Sequence, residues 1–533
     1  MIKSRTTKNL TLALALAFPF AASAEFLITG DFKDGTYNPS AYWIDEGVII
    51  NSKMPGVNGE TIHIVGSTIS GNTLTSTTLH QTTYGSLVSN MGNIIMDNAT
   101  FSGNAVTLGV QDQYSLYGGI VATKEYGSEA DDGNKLTVNN SAFTSNNIAL
   151  TGALGTLYGG VNSILNGNTA TFTGTNFTSN IMTSEGRIQG GVLQAFTNPS
   201  LGYQTAVLTV ADSQFTGNTS TAVGMARGGA VENYDSSFIV SNTLFENNGV
   251  HSTGSDALDS CSYGGAFYFS NSASVSTLTD ITLTGNWAQN GYGGAVVLKS
   301  GAKADFVATK DAVFAGNYAT DMAGTKDDSR GGFLYMFGTT SNANFNVAAG
   351  ATLTIGDGTA GYDSIASRTA DAVITKAAAG ALVVNGSMHD YLGTLNVSEG
   401  EMQVLNQLGT GQLNLYRGAS LVLLSGGFSR NGNMYLEADS ALTFILGADF
   451  DESSDLSFYL AEATVTLSGF DDINDIVTIK NNDGSAYTGN WFVSLDESGI
   501  LFNPVPEPSA YAAILGALAL VFTYRRKSNI SRR

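Results

Sequence analysis

The sequence predicts an all-β protein wound as a right-handed parallel β-helix, and three observations predict it. The first is a phrase Phe-x-x-Asn, found at Phe101/Asn104, Phe143/Asn146, Phe177/Asn180, Phe215/Asn218, Phe245/Asn248, Leu283/Asn286 and Phe314/Asn317. Its average spacing is 35.5 residues, with intervals from 30 to 42, as in repeat architectures. The second is Gly-Gly followed by a hydrophobic residue, at Gly118-Gly119-Ile120, Gly159-Gly160-Val161, Gly190-Gly191-Val192, Gly228-Gly229-Ala230, Gly264-Gly265-Ala266, Gly293-Gly294-Ala295 and Gly331-Gly332-Phe333. The two phrases alternate strictly. The third is the texture between them. Residues 136–138, 207–210, 238–240 and 295–298 are short apolar runs bounded by Gly or Asn, and before the C-terminal tail no stretch keeps a 3.6-residue period for a dozen residues.

Each element has a place in such a coil. Successive coils pair along their backbones about 4.8 Å apart, so equivalent residues stack in columns. The Phe positions predict an inner aromatic column. The Asn positions predict amides bonded to backbone at a turn and to their neighbours above and below as a ladder. Gly-Gly predicts a corner that needs positive φ or close backbone approach. Three residues before each Phe or Leu stand Asn98, Asn140, Gly174, Asp212, Asn242, Asp280 and Asp311, a further turn column. From residue 341 the pattern changes register. Runs at 345–347, 351–355, 382–384, 395–397, 402–404, 413–415 and 421–424 read as strands between Gly turns. Runs at 442–446, 463–467 and 476–479 read as further strands that cap the solenoid and hide its edge. The expected order is a signal peptide (1–24), an N-terminal cap with the first coils (25–95), the repeat β-helix (96–340), a second solenoid stretch (341–428), a C-terminal β cap (429–504) and a sorting segment (505–533).

Both ends read as addresses. Lys3, Arg5 and Lys8 precede an apolar run from Leu10 to Phe20 and the small residues Ala22-Ser23-Ala24, the three parts of a secretory signal with cleavage expected between Ala24 and Glu25. This implies a Sec translocon and a signal peptidase as partners. At the other end Val505-Pro506-Glu507-Pro508 leads into an uncharged run, 510–524, and then Arg525-Arg526-Lys527. As a single transmembrane helix that run spans about 22 Å, short of the roughly 30 Å hydrocarbon core. The basic cluster would hold the cytoplasmic side.

Composition sets the class. Of 533 residues 43% are hydrophobic and 13% charged, which is too apolar for a disordered polymer. The one cysteine, Cys261, excludes a disulfide scaffold and reads as a small buried residue. Acids outnumber bases by 45 to 24, and eight of the bases lie in the two terminal segments, which carry only one acid, Glu507. Residues 25–504 therefore hold 16 bases against 44 acids, a net charge of −28. This argues against nucleic-acid binding, which needs Lys and Arg to neutralise phosphates.

Three resemblances follow from these residues. The tripartite tail 505–533 resembles the PEP-CTERM sorting signal of Gram-negative bacteria, which implies processing near Pro506-Glu507-Pro508 by a membrane-embedded exosortase. A plain tail anchor is the alternative. The alternating phrases over about 101–333 resemble the repeats of polymorphic outer membrane proteins, whose passenger is a β-helix. The set Lys376, Gly380, Leu382, Val384, Gly386, Tyr391, Gly393, Leu395, Val397, Gly400 and Met402 looks like one autotransporter-associated strand repeat. Only about 80 residues separate the last of these strands from the Pro-Glu-Pro motif, too few for the β-barrel of an autotransporter.

Sites for chemistry are sparse. His63, His80, His251 and His389 share no metal-ligand spacing, and no cofactor is expected. Asp449, Asp451, Glu452 and Asp455 form one acidic knot and Asp471, Asp472 and Asp475 another. Both lack the spacing of calcium loops and read as solvated. The residue before each Gly-Gly is Tyr117, Tyr158, Gln189, Arg227, Tyr263, Tyr292 or Arg330. In register these form one column, either a stripe for sugars or a self-stacked Tyr/Arg ladder held by cation–π contacts. The expected function is non-enzymatic adhesion or surface presentation by an exported β-solenoid at the cell surface or in the matrix. Its expected partners are extracellular polysaccharide or host glycans. The alternative is a carbohydrate-active β-helix enzyme, a polysaccharide lyase or hydrolase, which needs paired carboxylates. Asp212 and Asp280 share a column, but that column is Asn elsewhere, as suits a turn.

Overall fold

Strict alternation along short strands builds the molecule. In Lys135–Asn139 (KLTVN), Leu136 and Val138 are buried and the residues between them face outward. The computed structural model describes residues 25–37, 49–51, 61–79, 82–90, 92–110, 114–123, 133–255, 260–271, 275–406, 408–409, 411–424, 433–445, 465–481, 483–486, 491–496 and 499–504. Both targeting segments read from the sequence, 1–24 and 505–533, lie outside them.

One coil consists of Lys135–Asn139, Ala142–Thr144, Asn147–Thr151, Thr156–Tyr158 and Asn162–Leu165. The next consists of Thr169–Thr173, Asn176–Thr178, Ile181–Ser184, Arg187–Gln189 and Leu193–Phe196. Each strand pairs in parallel with its counterpart. Repeated along the chain, this gives five stacked parallel sheets, here numbered 1 to 5 in the order a coil visits them. Sheet 1 is the longest, with fifteen strands from Glu25–Ile28 to Val465–Ser468 among the described residues. The described residues thus form an all-β stack of parallel coils with three short 3-10 turns among them, as a β-helix requires.

The turn columns are left-handed. Between sheets 1 and 2, Asn98, Asn140, Gly174, Asp212, Asn242 and Asp280 take φ of 46° to 60°, the region that Asn, Asp and Gly enter at least cost. Asp311 differs: its carboxylate accepts the Thr352 N–H at 2.8 Å. Between sheets 2 and 3, Gly71, Gly103, Ser145, Ser179, Gly217, Asn247 and Gly285 take φ of 53° to 65°.

The Phe-x-x-Asn phrase straddles that second turn. Its aromatic rings point inward and stack, Phe101 to Phe143 to Phe177 to Phe215 to Phe245, with centroids 4.4–5.3 Å apart. Its asparagines form the expected ladder. Each side-chain amide donates to the Oδ1 of the next coil, from Asn72 through Asn104, Asn146, Asn180, Asn218, Asn248 and Asn286 to Asn317, at 2.8–3.1 Å. Each amide also donates to a backbone carbonyl of the preceding coil, as Asn218 does to Phe177 at 2.9 Å. The ladder ends on Asp363, whose Oδ1 accepts from the Asn317 amide at 2.8 Å.

Beyond Asn342 the cross-section narrows. Asn342–Val347, Val373–Ala377, Thr394–Val397, Leu413–Leu415 and Met434–Glu437 continue sheet 1. They alternate with Thr352–Ile355, Ala381–Val384, Glu401–Val404, Ser420–Leu424 and Ala441–Ile445 of a sixth parallel sheet. After a coil that keeps Ile365–Ser367 in sheet 5, two strands close a coil of about twenty residues, turned at Gly350, Ala378, Gly400, Gly418 and Asp439. Lys376 lies in this core between Phe345 and Val397, fully buried. Its ammonium donates to the carbonyls of Ala377, Ala378 and Glu399 at 3.1, 2.6 and 2.9 Å. An antiparallel hairpin, Trp491–Asp496 with Gly499–Pro504, follows.

Candidate functional site

The Gly-Gly corners resolve into two separate requirements. The first glycine (Gly118, Gly159, Gly190, Gly228, Gly264, Gly293, Gly331) takes φ of 55° to 70°, and a Cβ there would fall 1.9–2.4 Å from the carbonyl oxygen three residues on. The second, from Gly119 to Gly294, lies outside the left-handed region. A Cβ there would fall 2.2–2.5 Å from the carbonyl oxygen of the equivalent glycine in the next coil.

The residue before each corner lies on sheet 4. Register places Tyr84, Tyr117, Tyr158, Gln189, Arg227, Tyr263 and Tyr292 side by side in turn. Arg330 precedes Gly331 from the 3-10 turn Asp328–Arg330, not from a strand. Tyr84 is a rung the sequence reading missed, because its corner is written Gly85-Ser86.

Across the corner the outward column of sheet 5 is Ser163, Gln194, Glu232, Tyr268, Val297 and Tyr335. All six are buried although they point away from the main core. The strands Asn162–Leu165, Phe267–Ser270 and Leu334–Phe337 are buried at every position. The two columns therefore close on each other as a second small core, in which Met225, Cys261, Tyr263, Tyr268, Val297, Tyr335, Phe337 and Ala366 pack with Tyr292.

A polar thread runs through it. Ser163 Oγ donates to Gln194 Oε1 at 2.7 Å, Gln194 Nε2 donates to Glu232 Oε2 at 3.1 Å, and Arg227 Nη1 lies 3.7 Å from Glu232 Oε1. Burial pushes the Glu232 carboxyl up to about 7, against the pull of Arg227 and Gln194. The Arg227 guanidinium sits 4.8 Å over the Tyr268 ring, whose hydroxyl burial pushes up to about 12. Burial also raises the hydroxyls of Tyr117, Tyr158 and Tyr263.

Sugars pack on open aromatic faces, and here the faces are occupied. Tyr84, Tyr117 and Tyr158 stack at 5.1 and 4.4 Å, within 15° of parallel. Tyr263 and Tyr292 stack at 5.9 Å, and the Arg330 guanidinium covers Tyr292 at 4.9 Å. The column offers ring edges, together with the half-buried Gln189.

The remaining candidates are dispersed. Asp212 and Asp280 are separated by the coil of Asn242, whose amide donates to Asp212 Oδ1 at 2.7 Å. Asp280 accepts from the Thr309 N–H and hydroxyl. His63 Nε2 meets Asp97 Oδ2 at 2.6 Å on the outer face of sheet 1, while His251 lies on sheet 3 and His389 is exposed in a turn. Cys261 is a buried thiol. Asp472 caps the 3-10 turn Ile473–Asp475. Among the described residues no group of three or more His, Cys, Asp or Glu could hold a metal ion, and no helix is long and apolar enough to cross a membrane. His80, the knot from Asp449 to Asp455, Ala24 and the motif Val505, Pro506, Glu507 and Pro508 lie outside those residues. Glu25 begins the first strand, paired with Thr61.

No protein-family model matches the chain. Over 164 residues it is 30% identical to the probable autotransporter YfaL of Escherichia coli (strain K12), a stretch that makes up 31% of this chain and 11% of that protein. The chain thus spans about a tenth of the length of the curated relative it matches, and its parallel-coil architecture and repeats are autotransporter-like.

Proposed function

We propose that this protein is a non-enzymatic, exported β-solenoid that presents a long right-handed β-helix at the cell surface or in the extracellular matrix. The observation that carries this reading is the commitment of every repeated column to the stack itself. The stacked phenylalanines, the asparagines, the second glycines and the stacked tyrosines contact their own copies in neighbouring coils, which builds length without a reaction centre. The likeness to a probable autotransporter supports export. In this reading a Sec translocon carries the chain, a signal peptidase cuts between Ala24 and Glu25, and an exosortase-type enzyme acts at Val505–Pro508 beside the membrane segment 510–524. The uncharged hydroxyls of the strand faces and the acidic turns then face extracellular polysaccharide or host glycans. The test is the intact mass of the surface-exposed protein from a Gram-negative host that carries an exosortase-type system. A chain starting at Glu25 and ending near Pro508 is expected. An intact Arg533 leaves a plain tail anchor, and retention of Met1 inside the cell overturns export.

One observation favours a carbohydrate-active enzyme instead: Glu232, buried beside Arg227 and raised by that burial to about 7, has the ionisation of a general acid. A depolymerisation screen separates the two readings. Turnover that disappears in Glu232→Gln would establish the enzyme, and glycan binding without turnover supports presentation.

A further inference from the structure

Where sheet 3 ends, two tyrosines meet nearly at right angles. Tyr318, on the strand Tyr318–Ala319, and Tyr362, in the turn before Ile365–Ser367, have ring centroids 5.6 Å apart and planes at 76°. The Lys326 ammonium sits in the angle, 3.9 Å from the Tyr362 centroid and 5.0 Å from that of Tyr318. It also donates to the Tyr362 hydroxyl. Lys326 is exposed and arrives on a loop tied by Asp321, whose Oδ1 accepts the Thr325 N–H at 2.8 Å. A Cβ on Gly361 would come within 3.1 Å of the Lys326 stem, so the glycine lets the lysine lie close. Trp287, the in-register neighbour of Tyr318, turns instead onto Gly249 of the preceding coil, where any Cβ would overlap its ring.

Two perpendicular aromatic walls around a cation are the arrangement by which proteins take up organic ammonium groups. We propose that Tyr318 and Tyr362 form a binding site for a quaternary ammonium group, and that Lys326 is a tethered occupant which an incoming ligand displaces. A primary ammonium from solution would replace like with like. It would lose to a tethered competitor whose effective concentration is in the millimolar range or above. A trimethylammonium group has no N–H to satisfy and a weak hydration shell, whereas the ammonium of lysine is compact and strongly hydrated. The quaternary group thus gains more from the ring faces than Lys326 does. The net charge of −28 over residues 25–504 draws cations to this surface. This site stands apart from the Tyr/Arg column and does not rest on the reading of the whole chain.

The test uses the full chain titrated with choline chloride at constant ionic strength, with sodium chloride as the balance, and binding read by calorimetry. The wild type binds weakly. Lys326→Ala binds about tenfold more tightly, because the internal competitor is gone. Tyr362→Ala in the Lys326→Ala background loses binding, whereas Tyr362→Phe retains it because the ring face remains, and unchanged circular dichroism shows that each variant is folded. Cosedimentation of Lys326→Ala with phosphatidylcholine vesicles, but not phosphatidylglycerol vesicles, identifies a lipid-borne headgroup. Choline binding without cosedimentation identifies a soluble ligand. Equal choline affinity in wild type and Lys326→Ala, or retention of binding by the Tyr362→Ala double variant, overturns the proposal.

Discussion

Replacing Asn218 with alanine cuts the amide ladder at its middle, and the loss can be worked out bond by bond. The Asn218 side chain is fully buried. Its Oδ1 accepts from the backbone N–H of Asn180 at 3.1 Å and from the Asn180 amide at 2.9 Å. Its Nδ2 donates to Asn248 Oδ1 and to the Phe177 carbonyl, both at 2.9 Å. After Asn218→Ala the Asn180 amide keeps the Phe143 carbonyl, and Asn248 Oδ1 keeps the Asn218 N–H. The Asn180 N–H and the Phe177 carbonyl lose these side-chain partners. At about 1–3 kcal/mol for each buried unsatisfied group, the cost is about 2–6 kcal/mol. Asn218→Asp tests the polarity of the ladder. An aspartate still accepts from Asn180, but it sets oxygen against oxygen at Phe177 and Asn248. Its penalty should exceed that of alanine at pH 8 and shrink at pH 4, where a protonated carboxyl can donate once. Urea unfolding followed by far-UV circular dichroism reads both variants. Gln214→Ala, on the exposed face of the same coil, should stay within about 0.5 kcal/mol of the parent. An alanine penalty below about 1 kcal/mol, or an aspartate variant indifferent to pH, would show that the ladder does not hold the coils.

Gly265→Ala places a Cβ 2.2 Å from the Gly294 oxygen and 2.5 Å from the Trp287 backbone, so the unfolding free energy should fall by about 3 kcal/mol. Gly103→Ala meets nothing within 4 Å and should cost only the left-handed φ, about 1 kcal/mol. Ser145→Gly and Ser179→Gly, both at φ 53°, should each stabilise by about 0.5–1 kcal/mol in the same assay, since relief of left-handed strain outweighs the extra chain entropy. Glu232 and Asp363 are fully buried acids raised from ordinary values to about 7 and about 6 by burial. The native state then binds more protons than the unfolded chain above pH 4. The stability they confer is complete below their unfolded values and lost as pH rises through 6 to 7, about 3 kcal/mol for each. Urea midpoints should decline from pH 5 to pH 7.5, and Glu232→Gln should flatten the upper half of that decline; an unchanged slope would remove Glu232 as its source. Lys376→Met keeps the buried stem but strips the donor from three carbonyls, and a loss of about 2–4 kcal/mol is expected.

Most of the coil was legible because its columns repeat one residue type at one place. Phenylalanine, asparagine and paired glycine recur where only a ring, an amide or a missing Cβ fits. Rungs written in other letters escaped: Ile69 with Asn72 stands below Phe101 with Asn104, and Tyr84 precedes Gly85-Ser86. The double burial of sheet 5 could not be read, because Gln194 and Glu232 look like ordinary outward polar residues until the corner folds the tyrosine column over them. Lys376 shows a similar limit. Its charge reads as surface, and only register with Phe345 and Val397 places its stem inside. The Tyr318–Tyr362 angle joins residues separated by a loop and a 3-10 turn, with no periodic signal between them.

The end of the ladder explains why its last member is an acid. Every amide from Asn72 to Asn317 gives one hydrogen to the Oδ1 of the next coil toward the C-terminus, so eight side-chain links in one direction end on the final acceptor. At that point three donors arrive together: the Asn317 amide at 2.8 Å and N–H at 3.0 Å on Asp363 Oδ1, and the Gly316 N–H at 2.6 Å on Oδ2. An asparagine there has only one oxygen and would turn its own N–H bonds against Gly316. A carboxylate accepts on both atoms, and these hydrogen bonds pull its ionisation down against burial, which wins. It has no amide to hand on, so it also closes the series. This coil keeps a sheet 5 strand, Ile365–Ser367, and after it the cross-section falls to two strands, where the Asn72–Asn317 ladder does not continue. Asp363 therefore joins two solenoid designs by ending the hydrogen-bond polarity of one where the other has no use for it.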